Sequence, residues 1–159
     1  MSLTGSSPND IEEDVVTKGS GLSRGDKRRN AKLAELRRLV PVDNAILGID
    51  LADKKQAVVV CDHDSRVLAR KTVCVKAWDL GPVLDWARRV AHKHGFAGVT
   101  VGCEPTGHRW MVLNQLAAQR DMTLVCVNPM LVGRAREAED YTRDKSDDKD
   151  AMLIARLVA

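Results

Sequence analysis

Three places in the chain carry carboxylates whose type and spacing suit metal-assisted chemistry on phosphates. Asp50 ends the apolar run Ile46-Leu47-Gly48-Ile49-Asp50, and Glu104 ends the run Val99-Thr100-Val101-Gly102-Cys103-Glu104. The third is Asp144-Lys145-Ser146-Asp147-Asp148-Lys149-Asp150, in which Asp144, Asp147 and Asp150 recur at i, i+3. An acid where a buried strand meets its turn is costly unless it is exposed or bound to a cation. Glu is a poor strand former, so propensity alone does not account for Glu104. On a helix, the i, i+3 spacing sets neighbours on one face at ~5 to 6 Å between Cβ atoms, where like charges repel unless water or a cation covers them. Hard oxygen ligands of this kind suit Mg²⁺ or Mn²⁺. Two such ions ~3.5 to 4 Å apart can activate a nucleophile and stabilise the leaving oxygen of a phosphodiester.

Each group also has an ordinary reading. Asp is favoured in turns, which covers Asp50. Acids are favoured in the first turn of a helix, which covers the run 144–150 as a solvated helix start. Thr106-Gly107, just after Glu104, reads either as a cap for a following helix or as backbone geometry alone. The elements that would position the acids decide how these readings combine.

Segments 45–49 and 56–61 are apolar or β-branched and 67–75 alternates, with Asp62-His63-Asp64-Ser65 as a turn, so three strands form an antiparallel meander. Leu80, Val83, Leu84, Ala87, Val90 and Ala91 recur at helical spacing, with Asp79 and Pro82 near the start and Gly95 past the end. A strand over 97–103, a helix over 108–119 and a strand over 122–127 follow, the last stopped by Asn128-Pro129. From residue 130 charged and apolar residues alternate, and 150–159 is strongly helical. The order β-β-β-α-β-α-β-α predicts an α/β mixed sheet with helices packed on it, the order of the ribonuclease H-like fold. In such a sheet the first strand lies centrally beside the fourth. Asp50 and Glu104 then end side by side, and two acids from one helix face complete a pocket of four carboxylates.

Composition sets the bounds. The 159 residues are 30% charged and 44% hydrophobic, which fits one globular domain with a tail. The longest apolar runs, 57–61 and 123–127, fall far short of the ~20 residues of a membrane helix, and the first 20 residues lack a signal pattern, so a cytoplasmic location is expected. Cys61, Cys74, Cys103 and Cys126 form no Cys-x-x-Cys pair and sit in apolar runs, so all four are expected to be buried thiols in a reducing compartment. The formal net charge is +3, unevenly spread: residues 18–38 hold eight Lys and Arg against Asp26 and Glu35. Residues 1–25 are too poor in periodic apolar positions to order, whereas 27–40 reads as a short basic helix closed by Pro41. That helix is either a solvated tail or an arm that contacts phosphates.

The elements Ile46-Leu47-Gly48-Ile49-Asp50, Glu104-Pro105-Thr106-Gly107, Val125-Cys126-Val127-Asn128-Pro129 and Lys145-Ser146-Asp147-Asp148-Lys149-Asp150-Ala151 resemble, in order and spacing, the N-terminal domain of DEDD-type transposases of the insertion-sequence-110 family, a domain shared with Piv-type DNA invertases. The resemblance covers residues 45–159. It implies a RuvC-like fold and a catalytic, metal-binding tetrad of Asp50, Glu104, Asp147 and Asp150; two Mg²⁺ or Mn²⁺ ions are expected there, with Asp50 as the ligand expected to bridge them. It implies a DNA transposase or recombinase acting on phosphodiesters, with DNA as partner, in guided members a bridge RNA, and a homo-oligomer of the intact protein. Lys145 matches the basic residue before the third acid, and Arg109, Arg134, Arg136 and Arg143 surround the motifs as candidate nucleic-acid contacts. The family's C-terminal domain, with its attacking serine, has no counterpart in these residues, so the expected organisation is a tail over 1–44 and a truncated RuvC-like domain over 45–159. Two rivals stand beside this reading: a non-catalytic nucleic-acid-binding remnant or regulator, and half of an actin-like kinase, which Gly48-Ile49-Asp50 also resembles.

Overall fold

In the computed structural model, which describes residues 21–51, 54–74, 76–140 and 147–159, the chain opens with a helix, α1 (Arg24–Arg37). The meander follows as β1 (Asn44–Ile49), β2 (Lys55–Cys61) and β3 (Val67–Cys74). Then come α2 (Ala77–Lys93), β4 (Gly98–Cys103), α3 (Arg109–Ala118), β5 (Thr123–Cys126), α4 (Pro129–Asp140) and α5 (Asp147–Val158).

The strands form one mixed sheet in the order β3-β2-β1-β4-β5. β1 pairs antiparallel with β2, and β2 with β3. The Asp62 turn closes on itself: Asp62 Oδ1 accepts from the backbone N–H of Asp64 and Arg66 at 3.0 and 2.8 Å, and Ser65 takes φ 63°. β1 runs parallel to β4 and β4 to β5, geometry that requires a crossover each time, and α2 and α3 supply them. The result is a mixed α/β fold compatible with the ribonuclease H-like class.

Strand alternation divides the interior into two layers. Ala45, Leu47 and Ile49 of β1, with Val99, Val101 and Cys103 of β4, face α2 and α3, where Leu80, Leu84, Ala87, Leu113 and Ala117 are buried against them. Ile46 and, on β5, Val125 face the other way, onto Ile154, Ala155 and Val158 of α5 and Val132 of α4. Arg120 ties the first layer together, its Nε donating to Asp85 of α2 at 2.7 Å.

Several sequence expectations need correction. The basic helix starts at Arg24 rather than Lys27, because Ser23 and Asp26 form a capping box, and it ends at Arg37 rather than Val40. Part of the stretch read as unordered, residues 24 and 25, is therefore helical; residues 1–20 lie outside the described residues. Leu33 and Leu36 of α1 pack against the α5 layer, so it is not a freely solvated tail. The third strand ends at Cys74, and Val75 lies outside the described residues. The single helical signal after β5 resolves into α4 and α5. Only Cys61 and Cys103 are buried thiols; Cys74 and Cys126 are exposed, because they end the two edge strands, where covering layers run out. No described helix is long and apolar enough to cross a membrane.

Candidate active site

Ile49 lies opposite Cys103 in the parallel pair, so the next residues, Asp50 and Glu104, leave neighbouring central strands at the same edge of the sheet. Alternation puts both on the face that α5 covers: Asp50 continues the parity of Ile46 and Gly48, Glu104 that of Thr100 and Gly102. Glu104 is half-buried, whereas Asp50 is only 4% exposed.

Two glycines set the height of α5 above that face. A Cβ on Gly48 would fall on the backbone oxygen of Ala151 and within 2.8 Å of the Ala155 Cβ; one on Gly102 would stand 3.0 Å from Val158 Cγ2. The helix thus lies directly on β1 and β4, with Ala151 and Ala155 over Gly48 and Ile154 and Val158 over Gly102. Asp150, adjacent to Ala151, is brought to the face and edge that carry Asp50, and it is 2% exposed. The solvated-helix-start reading therefore fails for Asp150. Sequence reasoning missed this role of the glycines, although a glycine inside a strand is the usual signal of close backbone approach.

Asp147 opens α5 one turn before Asp150, its side chain outside the described residues. Lys145 and Arg143 lie outside the described residues, as does the side chain of Arg136 on α4. Arg134 is exposed on α4. Arg109, exposed at the start of α3, donates through Nη1 to the carbonyl of Leu51 at 3.1 Å, which holds the chain just past Asp50. Thr106 does not cap α3: the residue before the helix is His108, without a side-chain cap. Gly107 instead takes φ +61°, a backbone conformation that glycine adopts without penalty. The Thr106 hydroxyl is buried without a hydrogen-bond partner, in a peptide turn whose N–H donates to Glu104 O at 2.8 Å.

Cys103 sits one residue before Glu104 but on the opposite face. Burial, reinforced by the Cys126 thiol and the Glu104 carboxylate, pushes its thiol well above the ordinary range, and burial pushes Cys61 up to about 12. Both stay protonated and unreactive at neutral pH. The acids that strand ends and α5 bring to this face, Asp50, Glu104 and Asp150, are oxygen donors, a chemistry that fits a hard divalent cation. Asp50 and Asp150 are buried carboxylates, and burying such a charge is costly without compensation. Among the described residues, no three His, Cys, Asp or Glu side chains are close enough to hold a metal ion by themselves.

A family model described as a transposase, the DEDD type of insertion sequence 110, matches residues 47–159. The chain belongs to that transposase family. The match begins inside β1 and takes in Asp50, Glu104 and all of α5, so the carboxylate edge of this transposase domain is entirely within it, whereas α1 precedes it. None of the curated proteins compared with this transposase-family chain matches it.

Proposed function

We propose that this is the catalytic domain of a DNA transposase or recombinase, built on a RuvC-like, ribonuclease H-like sheet. Asp50, Glu104, Asp147 and Asp150 would hold Mg²⁺ or Mn²⁺. The observation that carries the reading is the pair of buried acids, Asp50 and Asp150, brought by strand register and two glycines to one face beside Glu104.

Each residue has a part. Asp50, at the end of the central strand, would be the ligand shared by a pair of ions. Glu104 and the two α5 acids complete the shells. When bound, such ions activate the attacking oxygen and neutralise the leaving one. The burial of Asp50 and Asp150 excludes water from the carboxylates, and Arg109 fixes the backbone that follows Asp50. Lys145, Arg143 and Arg136 are the candidates to bind phosphates around this edge, and Arg134 to bind them farther along α4. In guided members of the family base pairing with a bridge RNA selects the sequence, and the same division of labour is proposed here, with the protein reading charge and shape.

Thermal melting with and without millimolar Mg²⁺ or Mn²⁺ tests the proposal. A folded-state site with Kd ~100-fold below the metal concentration adds about 2.7 kcal/mol. That gain is expected for the native sequence and absent in Asp147→Asn. No gain in either would favour a nucleic-acid-binding remnant.

A further inference from the structure

A basic groove lies between α1 and α4, outside the carboxylate edge. The two helices stand apart over α5, and the space between them comprises adjoining cavities of about 400 and 180 Å³ that share Arg29, Leu131 and Arg134. Leu33, Leu131 and Leu157 form its floor. Its rims carry Arg28 and Lys32 from α1 and Arg134 from α4, all exposed. The acid within it, Asp26, is already engaged by Arg29 and by the Ser23 cap, so three positive charges remain uncompensated by it. Arg28 and Lys32 continue an i, i+4 stripe from Arg24, a charge every ~6 Å along α1.

The groove's chemistry selects its occupant. Met130, 63% exposed, offers apolar surface beside the cations, and no described lining residue is aromatic, so bases have no stacking platform. The groove opens at Asn128, just past β5, where the Val127 N–H donates to the carbonyl of Cys103 at 2.8 Å. A strand lying in it therefore leads to the edge from which Glu104 projects. α1, which makes one wall, precedes the family match.

We propose that the α1–α4 groove binds the sugar-phosphate backbone of a DNA strand, independently of sequence, through Arg28, Lys32 and Arg134. This rests on the reading of the chain as acting on DNA, but not on the metal site.

The test is fluorescence anisotropy of a labelled mixed-sequence DNA single strand with the 159-residue chain, in chelator, over about 50 to 200 mM salt. Each phosphate contact with a single strand contributes ~0.7 to the slope of log K against log salt. R28A/K32A/R134A should reduce the slope by about 2 and weaken binding at least roughly tenfold at the low-salt end. A control that removes as many exposed charges elsewhere, R70A/R89A/K93A, should leave the slope unchanged. R28Q/K32Q, with circular dichroism to confirm folding, should reduce it by about half to two-thirds as much. Equal losses in the groove and control variants, or no loss in either, would overturn the proposal. So would a loss confined to an RNA strand of the same sequence. Because chelator is present throughout, failure of the carboxylate site leaves this result intact, and the metal-dependent melting reads that site separately.

Discussion

Asp50 and Asp150 are nearly inaccessible to water, yet each sits where exposure would have been easy, one at a strand end and the other in a helix's first turn. If they serve a cation, Asp50→Asn should abolish the metal-dependent rise in melting temperature while the variant still unfolds cooperatively in chelator. Persistence of the rise would remove Asp50 from the ligand set. The cysteines make a second test at this scale. A thiol reagent at neutral pH should modify Cys74 and Cys126 rapidly and reach Cys61 and Cys103 only on unfolding. The raised Cys61 value has a sign in stability. In the unfolded chain the thiol ionises near 9, in the fold at about 12. The folded state holds more protons between those values, so its contribution is complete below pH 9 and is lost as pH rises toward 12. Urea titrations at pH 8, 9.5 and 11 should show a decline that is shallower in Cys61→Ala, by at most about 1.4 kcal/mol per pH unit. Sequence alone placed Asp50 and Glu104 at strand ends, because apolar runs stop there visibly. It could not distinguish the cysteines, since an apolar run looks the same on an edge strand as on a central one.

The contact of α5 with the sheet is set by what β1 and β4 lack. Gly48→Ala would push a methyl group into the Ala151 backbone oxygen and force the helix to rise. Overpacking of this kind costs about 1 to 3 kcal/mol. The expected outcome is a lower urea midpoint together with a weakened metal response, because Asp150 moves with the helix; Gly95→Ala, at a helix end with open space around it, should lower stability without changing the metal response. An unaltered metal response in Gly48→Ala would show that the height of α5 does not govern the site. At this scale α2 was the plainest element, with Leu80, Val83, Leu84, Ala87 and Ala91 at one spacing and all buried. The beginning of α1 was also written in the sequence, in Ser23 and Asp26, but with Asp instead of the usual Glu or Gln at the third position. The bounds of α4 and α5 were not, because no Gly or Pro punctuates residues 134–159.

Both layers share one sheet, so they should melt together. Trp86 and Trp110 pack on the α2–α3 side, and no tryptophan belongs to the α5 side. Tryptophan fluorescence therefore reports one layer and far-ultraviolet circular dichroism both; their denaturant curves should coincide. A dichroism loss that precedes the fluorescence change would mean that α1, α4 and α5 detach first. The meander and its crossovers could be inferred from strand and helix patterns, since parallel β1–β4 pairing follows once an intervening helix is recognised. The seating of α1 could not, because Leu33 and Leu36 are too few among its charges to announce a buried face. The parallel pairing has one more consequence. Residue 50 acquires its neighbour only after residue 104 exists, and both are covered only when residue 150 arrives. Until α5 has been made, a polypeptide emerging from the ribosome thus carries these acids scattered and unmated, and their assembly waits on that helix.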